Sequence, residues 1–251
     1  MPGHWPRAAR SFEWAAPFLV VAGKPRGLLT VIFLVEHHLS VPRTARYQQL
    51  GELSAATKQL WLVLHGYGQL AEYFIRHFAA LHAADPAGTV IVAPEGLSRF
   101  YLNGTKGRVG ASWMTSADRL TEIDDQHTYL TALLRPMLAI APTADVIVLG
   151  FSQGTATASR WLAHMASTEG WRPRRLLLWA GDFPADTLPA PNLLPGLPID
   201  MVCGDQDEYI SYEQFRQQAD TLKKAGALVS TFQFSGGHTL NINLLRQLAG
   251  Y

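Results

Sequence analysis

Three residue types that together carry out hydrolysis are spread over the second half of the chain. Ser152 lies in Gly150-Phe151-Ser152-Gln153-Gly154, two carboxylates lie in Gly204-Asp205-Gln206-Asp207, and His238 closes Ser235-Gly236-Gly237-His238. A serine hydroxyl is a poor nucleophile at neutral pH. It needs a base within hydrogen-bond reach and a carboxylate that holds the base in one tautomer. Glycines on both sides of Phe151-Ser152-Gln153 suit a sharp turn that presents the hydroxyl, because a backbone without Cβ can close there. A further stretch, His65-Gly66-Tyr67-Gly68-Gln69, is punctuated by glycine and can bring a backbone N–H to a reacting carbonyl. Acyl transfer needs two such donors, and the candidates are the N–H of Gln153, just after the serine, and that of Tyr67. A nucleotide-binding reading of Gly66-Tyr67-Gly68 fails, since the third glycine, the P-loop lysine and a ribose-binding carboxylate at the usual distance are missing.

Residues this far apart in sequence meet only if the intervening chain brings several strand ends to one edge of a sheet. From about residue 35 onward, short Val/Ile/Leu-rich runs alternate with longer helical patterns, the signal of a mostly parallel α/β sheet. The expected strands are Leu60 to Leu64, Thr89 to Ala93, Asp145 to Leu149, Arg175 to Trp179, Ile199 to Cys203 and Leu228 to Phe234. Several are continuous apolar runs, as expected of strands covered on both faces. Helical spacing marks Ala117 to Leu138, Thr155 to Met165 and Glu213 to Ala225, with Pro136 expected to end or kink the first. No repeat or low-complexity linker interrupts residues 35–251, which read as one domain.

Residues 1–34 read differently. Arg7 and Arg10 precede the apolar Phe18 to Ala22, but Lys24, Pro25 and Arg26 break the run. Neither the unbroken core of a signal peptide nor the length of a membrane span is met. The segment is expected to be a disordered or loosely docked extension, or a product of a start codon assigned too early.

A formal net charge of +1 argues against nucleic acid, which demands clustered Lys and Arg. Cys203, the single cysteine, excludes a disulfide scaffold and is compatible with a cytoplasmic location. Of the other histidines, His77, His82, His127 and His164 fall in helical patterns and read as surface or boundary residues. His4, His37 and His38 have no Cys or carboxylate at metal-ligand spacing, so neither a metal nor an organic cofactor is expected. His65 reads as a residue that orients its loop. The expected partner is a small-molecule ester, with no nucleic acid and no stable membrane insertion, and a homodimer is left open.

Ser, Asp and His, each just past the carboxyl end of an expected strand, follow the chain order of α/β-hydrolases. Four blocks carry a closer likeness: Leu62-Val63-Leu64-His65-Gly66-Tyr67-Gly68, Gly150-Phe151-Ser152-Gln153-Gly154, Gly204-Asp205-Gln206-Asp207 and Gly236-Gly237-His238. Over about residues 60–240 the chain resembles the phospholipase/carboxylesterase group of α/β-hydrolases, which includes the acyl-protein thioesterases. The resemblance implies an α/β-hydrolase fold, Ser152 as nucleophile, His238 as base, Asp207 rather than Asp205 as orienter, and Tyr67 with Gln153 as oxyanion donors. It implies a serine carboxylesterase acting on short- to medium-chain esters. The rival readings are a lysophospholipase or acyl-protein thioesterase and a non-catalytic binding protein of the same fold.

Two departures from the family pattern bear on substrate. Gln69 stands where an acidic residue is common, and Thr155 stands where a second glycine is frequent. Between Pro94 and Met114, the segment bearing Phe100, Tyr101, Asn103, Lys106 and Arg108 reads either as a wall over the site or as an ordinary surface connection. Gln69, Phe100, Tyr101 and Trp113 are the substrate-binding candidates, with core packing as the alternative for Trp113.

Overall fold

In a computed structural model of the chain, residues 18–21, 31–190 and 192–251 are described. The chain divides into two units, residues 1–44 and 45–251. In the first, β1 (Phe18–Val21) pairs antiparallel with β2 (Val31–Leu34). The rest of the segment expected to be an extension lies outside the described residues.

The second unit carries the sheet that the apolar runs predict. Its strands are β3 (Tyr47–Leu50), β4 (Gln59–Leu64), β5 (Thr89–Pro94), the short hairpin pair β6 (Ser98–Tyr101) and β7 (Val109–Ser112), then β8 (Asp145–Phe151), β9 (Arg175–Trp179), β10 (Pro198–Gly204) and β11 (Leu228–Phe234). Seven of these form one sheet in the order β11-β10-β9-β8-β4-β5-β3, while β6 and β7 pair only with each other. All neighbours in the large sheet are parallel except β3, which runs antiparallel to β5 and closes that edge. The helices are α1 (Ala71–Phe74), α2 (Ala79–Ala84), α3 (Arg119–Ile140), α4 (Gln153–Thr168), α5 (Tyr212–Lys224) and α6 (Ile242–Ala249).

Strand alternation sorts the apolar side chains between two cores. Leu60, Leu62 and Leu64 of β4 pack with Val90, Val92 and Val148 against α3, α4 and α5. Trp61 and Val63 point the other way and pack with Ile91, Ile147 and Leu149 against α1, α2 and α6. Burial on both faces is why β4, β5 and β8 read as unbroken hydrophobic runs. Edge strand β11 is mostly exposed or half-buried, with Leu228 63% exposed.

Of the two outcomes expected at Pro136, an end to the helix does not occur, because α3 runs through it to Ile140. Proline removes the N–H that would bond the carbonyl of Ala132. Both Ala132 and Pro136 are exposed, so water can serve that carbonyl.

Candidate active site

The turn from β8 into α4 is the strained point of the sheet. Ser152 has φ 53° and ψ −119°, a conformation that costs a non-glycine residue about 1–3 kcal/mol and persists only where its surroundings over-determine it. Here they do. Ser152 N–H donates to the Trp179 carbonyl at 2.9 Å. Its own carbonyl accepts from Thr155 N–H at 3.0 Å and from the Thr155 hydroxyl at 2.7 Å, and that hydroxyl also reaches the Asp182 carbonyl at 3.0 Å. Thr155, fully buried, thus braces the elbow where the family pattern often has glycine. A Cβ on Gly154 would lie 2.7 Å from the His65 carbonyl and closer still to that of Leu64, so the start of α4 can press onto the end of β4 only with glycine there.

Ser152 occupies the N-cap position of α4, yet its side chain makes no capping hydrogen bond. A serine at this position ordinarily caps the N2 or N3 amide. With that bond unmade, the hydroxyl is free to react, and the first amides of α4, Gln153 foremost, face outward with the positive end of the helix dipole.

The loop after β4 is held from several sides. Gln69 Oε1 accepts from Gly66 N–H at 2.8 Å, and Gln69 N–H donates to the Gly66 carbonyl at 3.2 Å. Gly68 N–H donates to the Ala111 carbonyl and Ala111 N–H to the Gln69 carbonyl, which ties the loop to β7. Among the described residues, these bonds engage the N–H of Gly66, Gly68 and Gln69 and leave Tyr67 N–H unengaged. A Cβ on Gly66 would come within 3.2 Å of Ser152 Cβ, so this loop lies directly against the elbow.

His65 is buried, and burial pushes its imidazole down to about 4. Its Nε2 accepts from Gly96 N–H at 3.0 Å, which requires Nδ1 to carry the proton donated to the Gly66 carbonyl at 2.8 Å. It is a neutral strut, as the sequence reading expects. Trp113 stacks on it, with centroids 4.9 Å apart, and donates from its indole to the His65 carbonyl. Of its two readings, Trp113 takes the core one: it is fully buried, and the void it lines, of about 10 Å³, holds about one water.

Asp207 and His238 meet across two strand ends. His238 Nδ1 lies 2.9 Å from Asp207 Oδ2, and the aspartate side chain is fully buried. A carboxylate accepts only, so Nδ1 carries the proton and Nε2 is left basic. Asp207 Oδ1 accepts from the N–H groups of Tyr209 and Ile210. The other candidate, Asp205, is turned away and accepts from Gly236 N–H. The ring of Phe151, the residue before Ser152, lies 5.1 Å from that of His238, which sets the imidazole beside the elbow. Cys203, on the last strand turn before Asp207, is pushed up to about 11 by burial and by Asp207, so its thiol stays protonated.

The substrate candidates separate into two kinds. Gln69 spends its side-chain oxygen inside the loop, so it shapes the site rather than offering that oxygen to a ligand. Phe100 and Tyr101 lie on β6, where the half-buried Phe100 ring packs on Tyr67 at 5.1 Å and Tyr101 is exposed. The 94–114 segment is therefore a wall, bonded through Ala111 to the loop beside Ser152.

Two groups escaped the sequence reading. Gln153 contributes its side chain as well as its amide, accepting from Trp113 N–H and donating to the Met114 carbonyl. Glu95, buried among Arg46, Arg99 and the N–H of Ala71, anchors the far end of the loop. A lone glutamate ending an apolar strand is the signal that could have found it. Elsewhere His127 stacks on His164, and burial lowers it to about 4. Among the described residues no cluster of His, Cys, Asp and Glu is arranged to hold a metal, and no helix is long and apolar enough to cross a membrane.

A family model described as serine hydrolase (FSH1) matches residues 54–241. No functionally curated protein matches the sequence. Among solved structures, esterase PE8 aligns at 21% identity over 83% of this chain and 97% of its own, with a TM-score of 0.65. Zea mays acyl-protein thioesterase 2 aligns at 18% over 82% and 97%, TM-score 0.60. A Bacillus cereus carboxylesterase aligns at 15% over 82% and 92%, TM-score 0.60. At these identities the three structures show a shared α/β-hydrolase fold.

Proposed function

Because the chain belongs to the FSH1 family of serine hydrolases, we propose that it cleaves short- to medium-chain carboxylic esters through a Ser152-His238-Asp207 triad. The observation that carries this reading is the 2.9 Å bond from His238 to a fully buried Asp207, made beside a serine whose hydroxyl is excluded from capping duty.

In the first step His238 Nε2 takes the Ser152 proton as Oγ attacks the ester carbonyl. The N–H groups of Tyr67 and Gln153 bind the oxyanion of the tetrahedral intermediate, each contributing about 3 kcal/mol by comparison with donor deletions in other hydrolases. The C–O bond to the alcohol then breaks, and the imidazolium returns its proton to the leaving alkoxide. Water repeats the attack on the acyl-enzyme, giving up a proton to His238; the bond from the acyl carbon to Ser152 Oγ then breaks, His238 returns the proton to Oγ, and the free acid departs.

Two spaces lie close to residues that pack at the elbow. The void beside Trp113 is too small for an alkyl chain. A groove of about 430 Å³ includes Asp182, whose carbonyl helps brace the elbow; one wall is Phe183 and Leu188, the other Gln214, Gln217 and Gln218.

Initial rates on p-nitrophenyl esters from acetate to palmitate, with Ser152→Ala as control, test the reading. A maximum at short or medium chains that vanishes in the variant is the expected result. A maximum at palmitate would favour lipid or acyl-protein substrates, and inactivity across the series would favour a binding protein.

A further inference from the structure

The base of the proposed triad is held by more than its aspartate. Asp207 Oδ2 fixes one atom of the His238 ring, Nδ1. A single hydrogen bond leaves the imidazole free to rock about that contact, and rocking swings Nε2 away from the serine. Two aromatic rings restrict it. Phe151 packs on one side, with centroids 5.1 Å apart and planes at 46°. Tyr209 packs edge to face, 4.7 Å away with planes at 67°. Phe151 is buried and belongs to the elbow, whereas Tyr209 is 71% exposed.

Exposure at that level means the Tyr209 ring gains little from burial where it stands. Its place is set instead by its backbone, whose N–H donates to Asp207 Oδ1 at 2.9 Å. One residue therefore meets both partners of the acid–base pair: the carboxylate through the main chain and the imidazole through the ring. Aromatic pairs in this geometry contribute beyond their buried area.

We propose that Tyr209 is a positioning residue, its ring holding the plane of the His238 imidazole so that Nε2 stays directed at Ser152. The proposal rests on the triad reading above. It assigns the role to the ring and not to the phenolic hydroxyl.

The test compares Tyr209→Phe and Tyr209→Leu in the full chain. Two readouts are taken: kcat and KM on p-nitrophenyl acetate, and the His238 ring C–H resonances by NMR, assigned with His238→Asn. Loss of the ring in Tyr209→Leu should lower kcat about three- to tenfold with KM little changed. The His238 resonances should shift as the neighbouring ring current disappears. Tyr209→Phe should restore both. An unchanged or raised kcat in Tyr209→Leu, a defect carried by KM, or a Phe variant as impaired as the Leu variant would overturn the proposal. The NMR readout does not depend on turnover, so undisturbed His238 resonances in Tyr209→Leu overturn it even where activity is low. Failure of the triad itself shows separately, as turnover surviving in Ser152→Ala.

Discussion

The floor and the rim of the site are built in opposite ways. On the floor, the ends of β4 and β8 and the start of α4 are buried, several backbone groups of the 65–69 loop have fixed partners in Gln69, Ala111 and Trp113, and Gly96 N–H holds the His65 ring. On the rim, Tyr67, Tyr101 and Tyr209 expose their rings, and the hairpin tip at 103–107 stands open to solvent. The contrast follows from what each must do. Oxyanion donors stabilise a transition state only if they need not move when charge develops. Rim side chains meet substrates that differ, and exposed positions can change without disturbing the core.

If the floor carries the chemistry, the largest effect must come from its triad. His238→Ala is expected to lower kcat by roughly 10⁶-fold, the order seen when the histidine of a triad is lost, with an unchanged circular dichroism spectrum. A loss below tenfold would mean that another base serves Ser152.

The floor should also be the acid-sensitive region. His65 is held neutral, its folded value depressed by burial to about 4 against 6.5 when unfolded. Below pH 6.5 the unfolded chain gains a proton that the folded chain refuses. The stabilisation is complete above 6.5 and declines as pH falls toward 4, by about 3 kcal/mol at most. Urea unfolding at pH 7.5 and 4.5 measures it, and His65→Gln should remove the His65 share while leaving that of His127, which burial also lowers to about 4.

Two glycines give a direct contrast. Gly154→Ala drives a Cβ into the Leu64 and His65 carbonyls and should cost about 1–3 kcal/mol along with activity. Gly104→Ala on the rim has nothing within 4 Å of the new Cβ and meets only the strain of φ 62°, about 1 kcal/mol, with kcat intact. Denaturation and rates on the pair would erase the contrast if both behaved alike. The mildest change on the floor is Gln69→Leu, which orphans the Gly66 N–H. It should lower kcat by about tenfold and stability by about 1 kcal/mol, without a change in chain-length preference. A shift in preference would return Gln69 to substrate contact.

Much of this was legible in residues 60–240. The six expected strands all form, within a residue or two of their expected ends; five are buried on both faces and so read as apolar runs, while the exposed edge strand β11 is marked by its β-branched and aromatic residues. Strand β3, with its half-exposed Tyr-Gln-Gln-Leu, carries no such run; it exists because β5 offers it an edge. The β6–β7 hairpin is not legible within the 94–114 segment, which reads as a wall or a surface connection, and its attachment to the site depends on Ala111 meeting Gln69, 42 positions earlier. Helix α6 was missed, though Asn241 caps its start and Gly250 its end. Helical spacing read to Leu138 already carried α3 past Pro136, and the helix ends at Ile140.

By itself the sequence determined the chemical cast: a serine between glycines at a strand end, an aspartate and a histidine in workable order, and a hydrophobic pattern that brings strand ends to one edge. Those are properties of residue type and spacing, which act locally. Only the tertiary structure decided between Asp207 and Asp205 as the partner of His238, freed the Tyr67 amide by engaging its neighbours, withdrew Gln69 and Trp113 into the framework, and set Tyr209 against the imidazole. Each of those outcomes turns on which hydrogen-bonding group lies within about 3 Å of which other. Such distances are fixed by how separate strands and loops pack together, so they appear only once the chain has folded.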